Sequence, residues 1–317
     1  MSSIDVVIPC FQYGRFLRAS VGSVLQQDVE SLRVLIIDNS SPDNSLAVAR
    51  QLASEDPRVH VIAHERNLGP LASFNEGIDW ATADYMMTLD ADDLLVPGCL
   101  RRAMSILDED QSVVFCHGGE QCVSGDEAIS VENSAEQSDA EWRISSGTEF
   151  IKRLCLKGYN FVGNPTVVRR TDIQKSIGHY DTDLTYAVDM NMWLRLATRG
   201  KVAETSTVQG IRRLHPGQMT QIYREAPVRD LIEHLNNFEH FFKHEGAKLP
   251  SARNDRAKVT RRIAFNGLYI AGTLILKRRL KQSLACIQFS LMTYAGLFAQ
   301  FLREPQPSRV RPSAADC

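Results

Sequence analysis

The chain has 317 residues, 44% hydrophobic and 23% charged, an ordinary composition for a globular protein with a full core. Its 36 basic and 38 acidic residues nearly balance, which argues against nucleic acid as a partner. The seven cysteines are scattered without a C-x-x-C pair, a pattern that favours reduced thiols in a cytoplasmic protein over disulfides or zinc. The N-terminus carries no basic-then-apolar leader, so we expect no signal peptide.

Predicted strands and helices alternate along the first half of the chain. Apolar, β-branched runs predict strands at 4–9, 32–38, 59–62, 85–89 and 113–116. Helices are predicted between them, at about 16–27, 45–53, 71–81 and 97–108. This alternation predicts an α/β fold with a Rossmann-like, mainly parallel sheet flanked by helices. Ligand groups should then gather at the carboxyl ends of the strands.

Polar side chains follow two of these strands. Asp38 and Asn39 come after the second strand, and Asp90, Asp92 and Asp93 come after the fourth. Three carboxylates in four positions repel one another unless a cation neutralises them, and Mg²⁺ or Mn²⁺ selects such hard oxygen ligands. An acidic turn that caps the next helix is the alternative. The position at a strand end favours the metal site.

The middle of the chain changes in composition. Residues 124–147 are rich in Ser, Glu and Asp, which predicts an exposed, mobile loop that either serves function or is a solvated insertion. A helix is expected near 148–156, and another at 189–196 with Trp193 flanking its core-facing side. Asp189 stands in the first turn of that helix, where the helix dipole favours a carboxylate and capping is the simplest role.

A basic turn and a helical tail complete the chain. The turn at 212–220 joins cations, a histidine and Pro-Gly, and by itself a basic turn is usually only solvated. Helices are predicted at about 227–245, 256–276 and 280–302. The last has no charge from 283 to 302, but polar residues dilute it, so we favour a packed helical hairpin. A membrane-surface helix with a basic collar at 277–279 is the alternative.

In this order, six motifs resemble those of the family 2 glycosyltransferases of the GT-A fold. They are V-V-I-P-C-F-Q at the N-terminus, I-I-D-N-S-S-P-D at 36–43, R-N-L-G-P-L-A-S-F-N-E-G at 66–77, L-D-A-D-D at 89–93, D-M-N-M-W-L-R-L at 189–196 and R-L-H-P-G-Q-M-T at 213–220. Any one motif is weak, while the set is specific. The resemblance implies a GT-A domain at 1–224 and a helical tail at 225–317. Within the domain it implies a nucleotide-sugar-binding half at about 1–117 and an acceptor-binding half at about 148–224, with the mobile loop that composition predicts at 124–147 between them.

The resemblance also implies an activity. It is inverting transfer of a sugar from a nucleoside-diphosphate sugar, UDP- or dTDP-sugar favoured, to an acceptor hydroxyl, with Mn²⁺ or Mg²⁺ at the D-x-D site. The expected acceptors are saccharides or lipid-linked saccharides of polysaccharide, cell-envelope or glycolipid biosynthesis. Contact of the basic tail with the inner face of a membrane would suit a lipid-linked acceptor.

The resemblance assigns roles to individual residues. Asp189 matches the family's catalytic base, and the metal ligands would be Asp90, Asp92 and His215. Asp93, Trp193 and Arg213 would also lie at the site. The expected donor contacts are Pro9, Phe11, Asp38, Asn39, Asn67, Gly69, Asn75, Asp90, Ala91 and Asp92.

Two departures from the family pattern leave questions open. The family often has two acidic residues where this chain has Asp38-Asn39, and an amide offers a different donor pattern, so the nucleotide base is not specified. It often has Glu-Asp where this chain has Val188-Asp189, so an acidic neighbour that could orient the base is missing.

Two other functions fit the sequence less well. A nucleotidyltransferase would need a Gly-rich, basic phosphate loop after the first strand, which residues 10–15 do not supply. A non-catalytic binding or scaffold protein of the same fold is disfavoured by the presence of Asp38, Asp90, Asp92 and Asp189.

Overall fold

The structure is a computed structural model that describes residues 2–124, 140–218, 223 and 225–303, with side chains as far as 297. Most of the predicted mobile loop, the last residues of the 213–220 motif and the end of the tail lie outside these ranges.

In these ranges, nine strands form one sheet and ten α-helices surround it. The strands are β1 (Ile4–Cys10), β2 (Leu32–Asp38), β3 (Val59–Ala63), β4 (Tyr85–Thr88), β5 (Leu94–Leu95), β6 (Val113–Ser124), β7 (Arg143–Ser146), β8 (Val168–Arg170) and β9 (Lys201–Leu214). The helices are α1 (Gly14–Leu25), α2 (Ser45–Glu55), α3 (Pro70–Trp80), α4 (Cys99–Glu109), α5 (Gly147–Lys157), α6 (Thr171–Ile177), α7 (Val188–Ala197), α8 (Pro227–Lys243), α9 (Ala252–Leu276) and α10 (Leu280–Arg303). Short 3-10 turns lie at Asn164–Thr166 and Glu245–Lys248.

The strand order is β3-β2-β1-β4-β8-β6-β9-β5, with β7 also paired to β9. The first four strands are parallel, as the alternation predicted. β8 runs antiparallel between β4 and β6, and β9 is again parallel to β6. The second half of the sheet is therefore mixed. The carboxyl ends of β1, β2, β4, β6 and β9 meet at one edge, and the amino end of β8 joins them there.

The structure corrects the predicted extent of the polar loop. Ser124 is the last residue of β6, and residues 143–146 form β7, antiparallel to β9 with Ile144 opposite Ala203. β9 itself was not predicted as a strand. Composition missed these strands because three of the four β7 side chains are exposed and the second half of β6 is only partly covered. Strands with one exposed face lack the continuous apolar run of a strand that is covered on both faces.

Both faces of the sheet are covered, which explains the continuous apolar runs of β1 and β2. Val7 and Leu35 face one side, where Phe115, Phe150 and Trp193 form the centre of the core. Val6 and Val34 face the other side, against α1, α2 and α4. Alternate residues of each strand thus serve two cores, and the sheet edge between those cores is left for the site.

The tail packs onto the GT-A-like domain. Phe238 and Phe241 of α8 and Ile263 of α9 are fully buried in the same core as Trp193. α9 and α10 form a hairpin in which Leu274 packs with Cys286, as the packed-hairpin interpretation predicted. None of the helices in the described ranges combines the length and apolar character needed to cross a bilayer.

Candidate active site

The acidic turn after β4 is tied to the segment that follows β9. Asp92 is 5% exposed, and its Oδ2 lies 3.0 Å from His215 Nε2 and 3.0 Å from the Gln218 Nε2 donor. Asp93 Oδ1 accepts a hydrogen bond from the Arg213 backbone N–H at 3.0 Å. Arg213 Nε in turn donates to the Asp92 carbonyl at 3.2 Å. The basic segment is therefore buried against the acidic turn instead of being a solvated turn.

The carboxylates of this turn strongly perturb one another. Burial, together with the negative charges of Asp92 and Asp189, raises the pKa of Asp90 to about 7, against an opposing effect of the Asn164 side chain. Asn164 Nδ2 donates to Asp90 Oδ2 at 3.3 Å. Burial and the charges of Asp90 and Asp92 also raise the pKa of Asp93 well above its usual range. Asp90 is half-buried, so its carboxyl keeps some contact with solvent.

These residues fit a divalent cation, although they do not form a complete coordination shell. In the described ranges no group of three or more His, Cys, Asp or Glu side chains is in place to hold a metal ion. The expected set of Asp90, Asp92 and His215 is brought together only as the Asp92–His215 pair plus a neighbouring Asp90 charge. A cation would relieve the repulsion that raises the pKa of Asp90, and Mg²⁺ sites usually have few protein ligands.

The polar residues at the end of β2 have two different roles: Asp38 keeps one unpaired oxygen, and Asn39 makes structural hydrogen bonds. Asp38 is 1% exposed; its Oδ2 accepts from Ser41 N at 3.1 Å, while Oδ1 has no partner among the described residues. Asn39 Nδ2 donates to Asn67 Oδ1 at 3.0 Å, and Asn39 Oδ1 accepts from Leu68 N at 2.9 Å. Asn39 and Asn67 thus hold the neighbouring loop, and Asp38 keeps one buried oxygen without a partner among the described residues.

The remaining expected donor contacts occupy different positions. Phe11 is 37% exposed after β1, whereas Ala91 is 1% exposed inside the acidic turn. Pro9 is half-buried near the end of β1, and Gly69, with φ of 83°, precedes α3. Asn75 bonds the backbone of Tyr180 in both directions, at 3.1 and 2.8 Å. Asn75 therefore positions the Tyr180 segment.

Asp189 is the second residue of α7, and its Oδ1 is a buried oxygen without a hydrogen-bond partner among the described residues. The residue before the helix, Ala187, makes no side-chain capping bond. Burial raises the pKa of Asp189 to about 6, and the positive charge of Arg169 opposes that rise. The nearby Tyr180 hydroxyl also lowers this pKa, although its oxygen has no hydrogen-bond partner among the described residues. This carboxylate is ionised at neutral pH and has unused acceptor capacity.

Arg169 is a buried cation behind the catalytic candidate. It is 0% exposed on β8, where Nη2 donates to Thr88 Oγ1 at 2.9 Å and Nε and Nη1 have no partner in the described structure. Its guanidinium carbon lies 5.8 Å from the centroid of the Trp193 ring, and Trp193 is fully buried. Trp193 thus packs beside Arg169 in the core and is not exposed at the site.

Residues that the sequence did not reveal complete the site. Tyr13 and Phe16 pack on His215, with ring centroids 5.6 and 5.0 Å from the centroid of the imidazole. The pKa of Tyr13 is raised, mainly by burial and next by the negative charge of Asp92. Asn164, Arg169, Tyr180 and Gln218 also reach the acidic groups, as described above. Gln218 belongs to the R-L-H-P-G-Q-M-T motif, whereas the others come from separate parts of the chain and belong to no motif that points to this role.

Backbone strain is concentrated around this cleft. Four non-glycine residues in the described ranges have positive φ, and three of them adjoin the site: Gln12 at 62°, Ser40 at 59° and Ala187 at 55°. They lie in the loops after β1 and β2 and just before Asp189. Such conformations cost energy and persist where surrounding contacts enforce them, often at functional sites.

Known proteins of similar sequence include glycosyltransferases. The family model for glycosyl transferase family 2 matches residues 5–176. An uncharacterised glycosyltransferase of Haemophilus influenzae is 22% identical over 69% of this chain and 68% of its own. A GalNAc(5)-diNAcBac-PP-undecaprenol beta-1,3-glucosyltransferase of Campylobacter jejuni is 28% identical over 36% of this chain and 38% of its own.

Solved structures show the same fold. S. aureus TarS 1–349 in complex with UDP-GlcNAc has a TM-score of 0.57 at 14% identity, covering 95% of this chain and 91% of that one. Mannosyltransferase PcManGT from Pyrobaculum calidifontis in complex with GDP-Man and Mn²⁺ has a TM-score of 0.56 at 15% identity, covering 92% and 87%. The predicted GT-A fold with C-terminal helices is confirmed.

Proposed function

The chain belongs to glycosyl transferase family 2. From that premise we propose that it transfers a sugar from a nucleoside-diphosphate sugar to an acceptor hydroxyl, with inversion at the anomeric carbon. Asp189 would act as the general base. The observation that carries this proposal is the buried Asp189 Oδ1, which has no hydrogen-bond partner in the described structure and belongs to a carboxyl with a pKa of about 6. A base with that pKa is ionised at neutral pH yet accepts a proton more readily than an ordinary aspartate. Direct displacement by the deprotonated hydroxyl needs no covalent enzyme intermediate.

The donor would lie against the loops after β1, β2 and β4. Asp38 Oδ1 is free to accept a hydrogen bond, and the imide N–H of uracil or thymine is a suitable donor. Phe11, 37% exposed at the same edge, offers an apolar face to the base. These two features suit UDP- or dTDP-sugars, the donors that the family resemblance favours.

A divalent cation, Mn²⁺ or Mg²⁺, would be held by Asp92 and His215 beside the charge of Asp90. When bound, it would offset the negative charge of the departing nucleoside diphosphate. The mannosyltransferase neighbour was solved with Mn²⁺, which supports a metal in this fold.

The proposal can be tested without knowing the acceptor. Release of nucleoside diphosphate from UDP- and dTDP-sugars should be measured with Mn²⁺, because the base that activates a hydroxyl also activates water. Asp189→Asn should lower hydrolysis by roughly 10²-fold or more while donor binding, followed by thermal shift, persists. The matched control is Asp183→Asn, an exposed carboxyl in the preceding segment. Hydrolysis by Asp189→Asn within a few fold of wild type would contradict the assignment.

We further propose that the acceptor is a saccharide of polysaccharide, cell-envelope or glycolipid biosynthesis, in the last case lipid-linked, and that the α9–α10 hairpin tip contacts anionic lipid. Leu276, Leu280 and Leu284 are 86%, 65% and 66% exposed at that tip. The exposed cations at 277–279 stand between them. The name of the Campylobacter relative includes a PP-undecaprenol group, which supports a lipid-linked acceptor. Apolar side chains ringed by cations suit the boundary of an anionic bilayer.

Sedimentation with phosphatidylglycerol vesicles tests this contact. Each cation near an anionic surface contributes about 1 kcal/mol, so glutamine at all three positions 277–279 should weaken binding by about 100-fold. A matched variant with glutamine at Arg50, Lys152 and Lys157, all outside the hairpin tip, should bind as the wild type does. An equal loss of vesicle binding in both variants, or vesicle binding that does not weaken as the salt concentration rises, would contradict specific contact of the hairpin tip with lipid.

A further inference from the structure

A cavity lies beside the candidate active site, between the middle of β6 and β9 and the segment before β7. Its volume is about 410 Å³, and His117, Trp142, Phe161 and Glu204 are among its lining residues. It exists because β6 and β9 lose register there, with irregularities between His117, Gly119 and Glu120. A Cβ on Gly119 would come within 2.7 Å of the Ser206 carbonyl, so only glycine allows this approach of the two strands.

The polar groups of the cavity suit a hydroxyl. His117 is 6% exposed, its Nε2 has no hydrogen-bond partner among the described residues, and burial lowers its pKa to about 4. The imidazole is therefore neutral and can exchange a hydrogen bond with a group that both donates and accepts. Glu204 Oε2 lies 3.7 Å from the same nitrogen, too far for a hydrogen bond but close enough for one hydroxyl to contact both.

Two aromatic side chains also line the cavity, and the nearby cations Arg143 and Arg153 are already paired with carboxylates. Trp142 and Phe161 line the cavity and offer apolar surface to the C–H groups of a sugar ring. Arg153 Nη1 is 2.7 Å from Glu204 Oε2, and Arg143 Nη2 is 2.9 Å from Glu149 Oε1. An acidic ligand would therefore find its partner cations bound to carboxylates, which favours an uncharged one.

The cavity also adjoins the reaction centre. Phe161 is three residues before Asn164, whose side chain donates to Asp90. Three trans peptide units span at most about 11 Å, so one saccharide could occupy both places. A volume near the lower end of the usual range for small-ligand pockets suits one or two sugar rings.

We propose that this cavity is a saccharide subsite that holds a neutral hexopyranose unit of the acceptor, with His117 bonding a ring hydroxyl and Trp142 packing against the ring. The inference rests on the proposed glycosyltransferase function and adds the class of acceptor: a chain with an uncharged sugar next to the one that reacts. Acidic sugars are disfavoured because Arg143 at the cavity and Arg153 beside its lining residue Glu204 are already paired with carboxylates.

Saturation-transfer NMR with methyl glucoside, methyl N-acetylglucosaminide and methyl glucuronide as probes tests the subsite. Wild-type protein should bind at least one neutral glycoside and bind the glucuronide at least about tenfold more weakly. Trp142→Ala should weaken neutral-glycoside binding about tenfold, the share of one aromatic contact. The matched control is Trp80→Ala, which removes a partly buried tryptophan that packs under Arg33 far along the sheet. Ser206→Trp, which fills the cavity from its exposed rim, should abolish binding even if Trp142→Ala folds poorly.

The outcomes separate this inference from the proposed function. Donor hydrolysis by Trp142→Ala should stay within about twofold of wild type, because the donor lies elsewhere. Failure of wild type to hydrolyse any donor would count against the catalytic proposal alone. Absence of neutral-glycoside binding, equal binding by Ser206→Trp, or equal binding of the glucuronide would overturn the subsite.

Discussion

Replacing Asp90 by asparagine should stabilise the ligand-free protein, and more so at high pH. Burial and the charges of Asp92 and Asp189 raise the pKa of Asp90 from 3.8 to about 7. Between pH 3.8 and about pH 7, Asp90 is therefore largely protonated in the native state and ionised in the unfolded state. Stability is then highest below the unfolded pKa and falls as pH rises through the folded one. The uncharged amide of the variant resembles the protonated carboxyl and avoids this loss.

The expected gain in stability of Asp90→Asn over wild type follows from the pH range over which native Asp90 keeps its proton. Between pH 5 and the folded pKa of about 7 lie roughly two pH units, each equivalent to about 1.36 kcal/mol. The advantage of Asp90→Asn over wild type should therefore grow by roughly 3 kcal/mol between pH 5 and pH 8. The variant amide can still pair with Asn164, whose Nδ2 lies 3.3 Å from Asp90 Oδ2, so little hydrogen bonding is lost.

Urea unfolding at pH 5 and pH 8, without metal, measures this difference. Asp28→Asn is the control, because the Asp28 side chain is 91% exposed and should give the same difference at both pH values. Mn²⁺ at pH 8 should stabilise wild type more than Asp90→Asn, since the cation relieves a repulsion that the variant no longer has. An advantage that shrinks or stays constant with rising pH would refute the reasoning that the acidic turn stores unfavourable charge.

Two further changes probe the surroundings of the site. Arg169→Met removes the cation that opposes the raised pKa of Asp189, so the acidic limb of donor hydrolysis should move above pH 6; a limb that stays in place would separate Arg169 from the base. Gly147→Ala would place a Cβ 1.7 Å from the Ala197 carbonyl oxygen and should lower the free energy of unfolding by about 1–3 kcal/mol, measured by urea unfolding. The control Gly272→Ala, whose Cβ would meet nothing within 4 Å, should be neutral or stabilising in the same measurement.

The local pattern of the sequence was sufficient for the parallel half of the sheet. Strands β1 to β4 and the helices between them follow from apolar runs and turn residues that are neighbours in the chain. Asp38 and Asp90 could be placed at one edge because parallel strands end on the same side. Helix boundaries shifted by a few residues, as for α1, predicted at 16–27 and observed at Gly14–Leu25.

The second half was decided by pairing between distant segments. β8 is three residues long, and only its antiparallel insertion between β4 and β6 brings Arg169 and Asn164 beside the acidic groups. β9 carries His215 to Asp92, 123 residues away in sequence, so a turn that composition described as solvated is buried. The sequence alone determined which residue types could perform the chemistry. Tertiary structure decided which of them meet, because burial and the proximity of charges depend on strand order that short-range patterns do not encode.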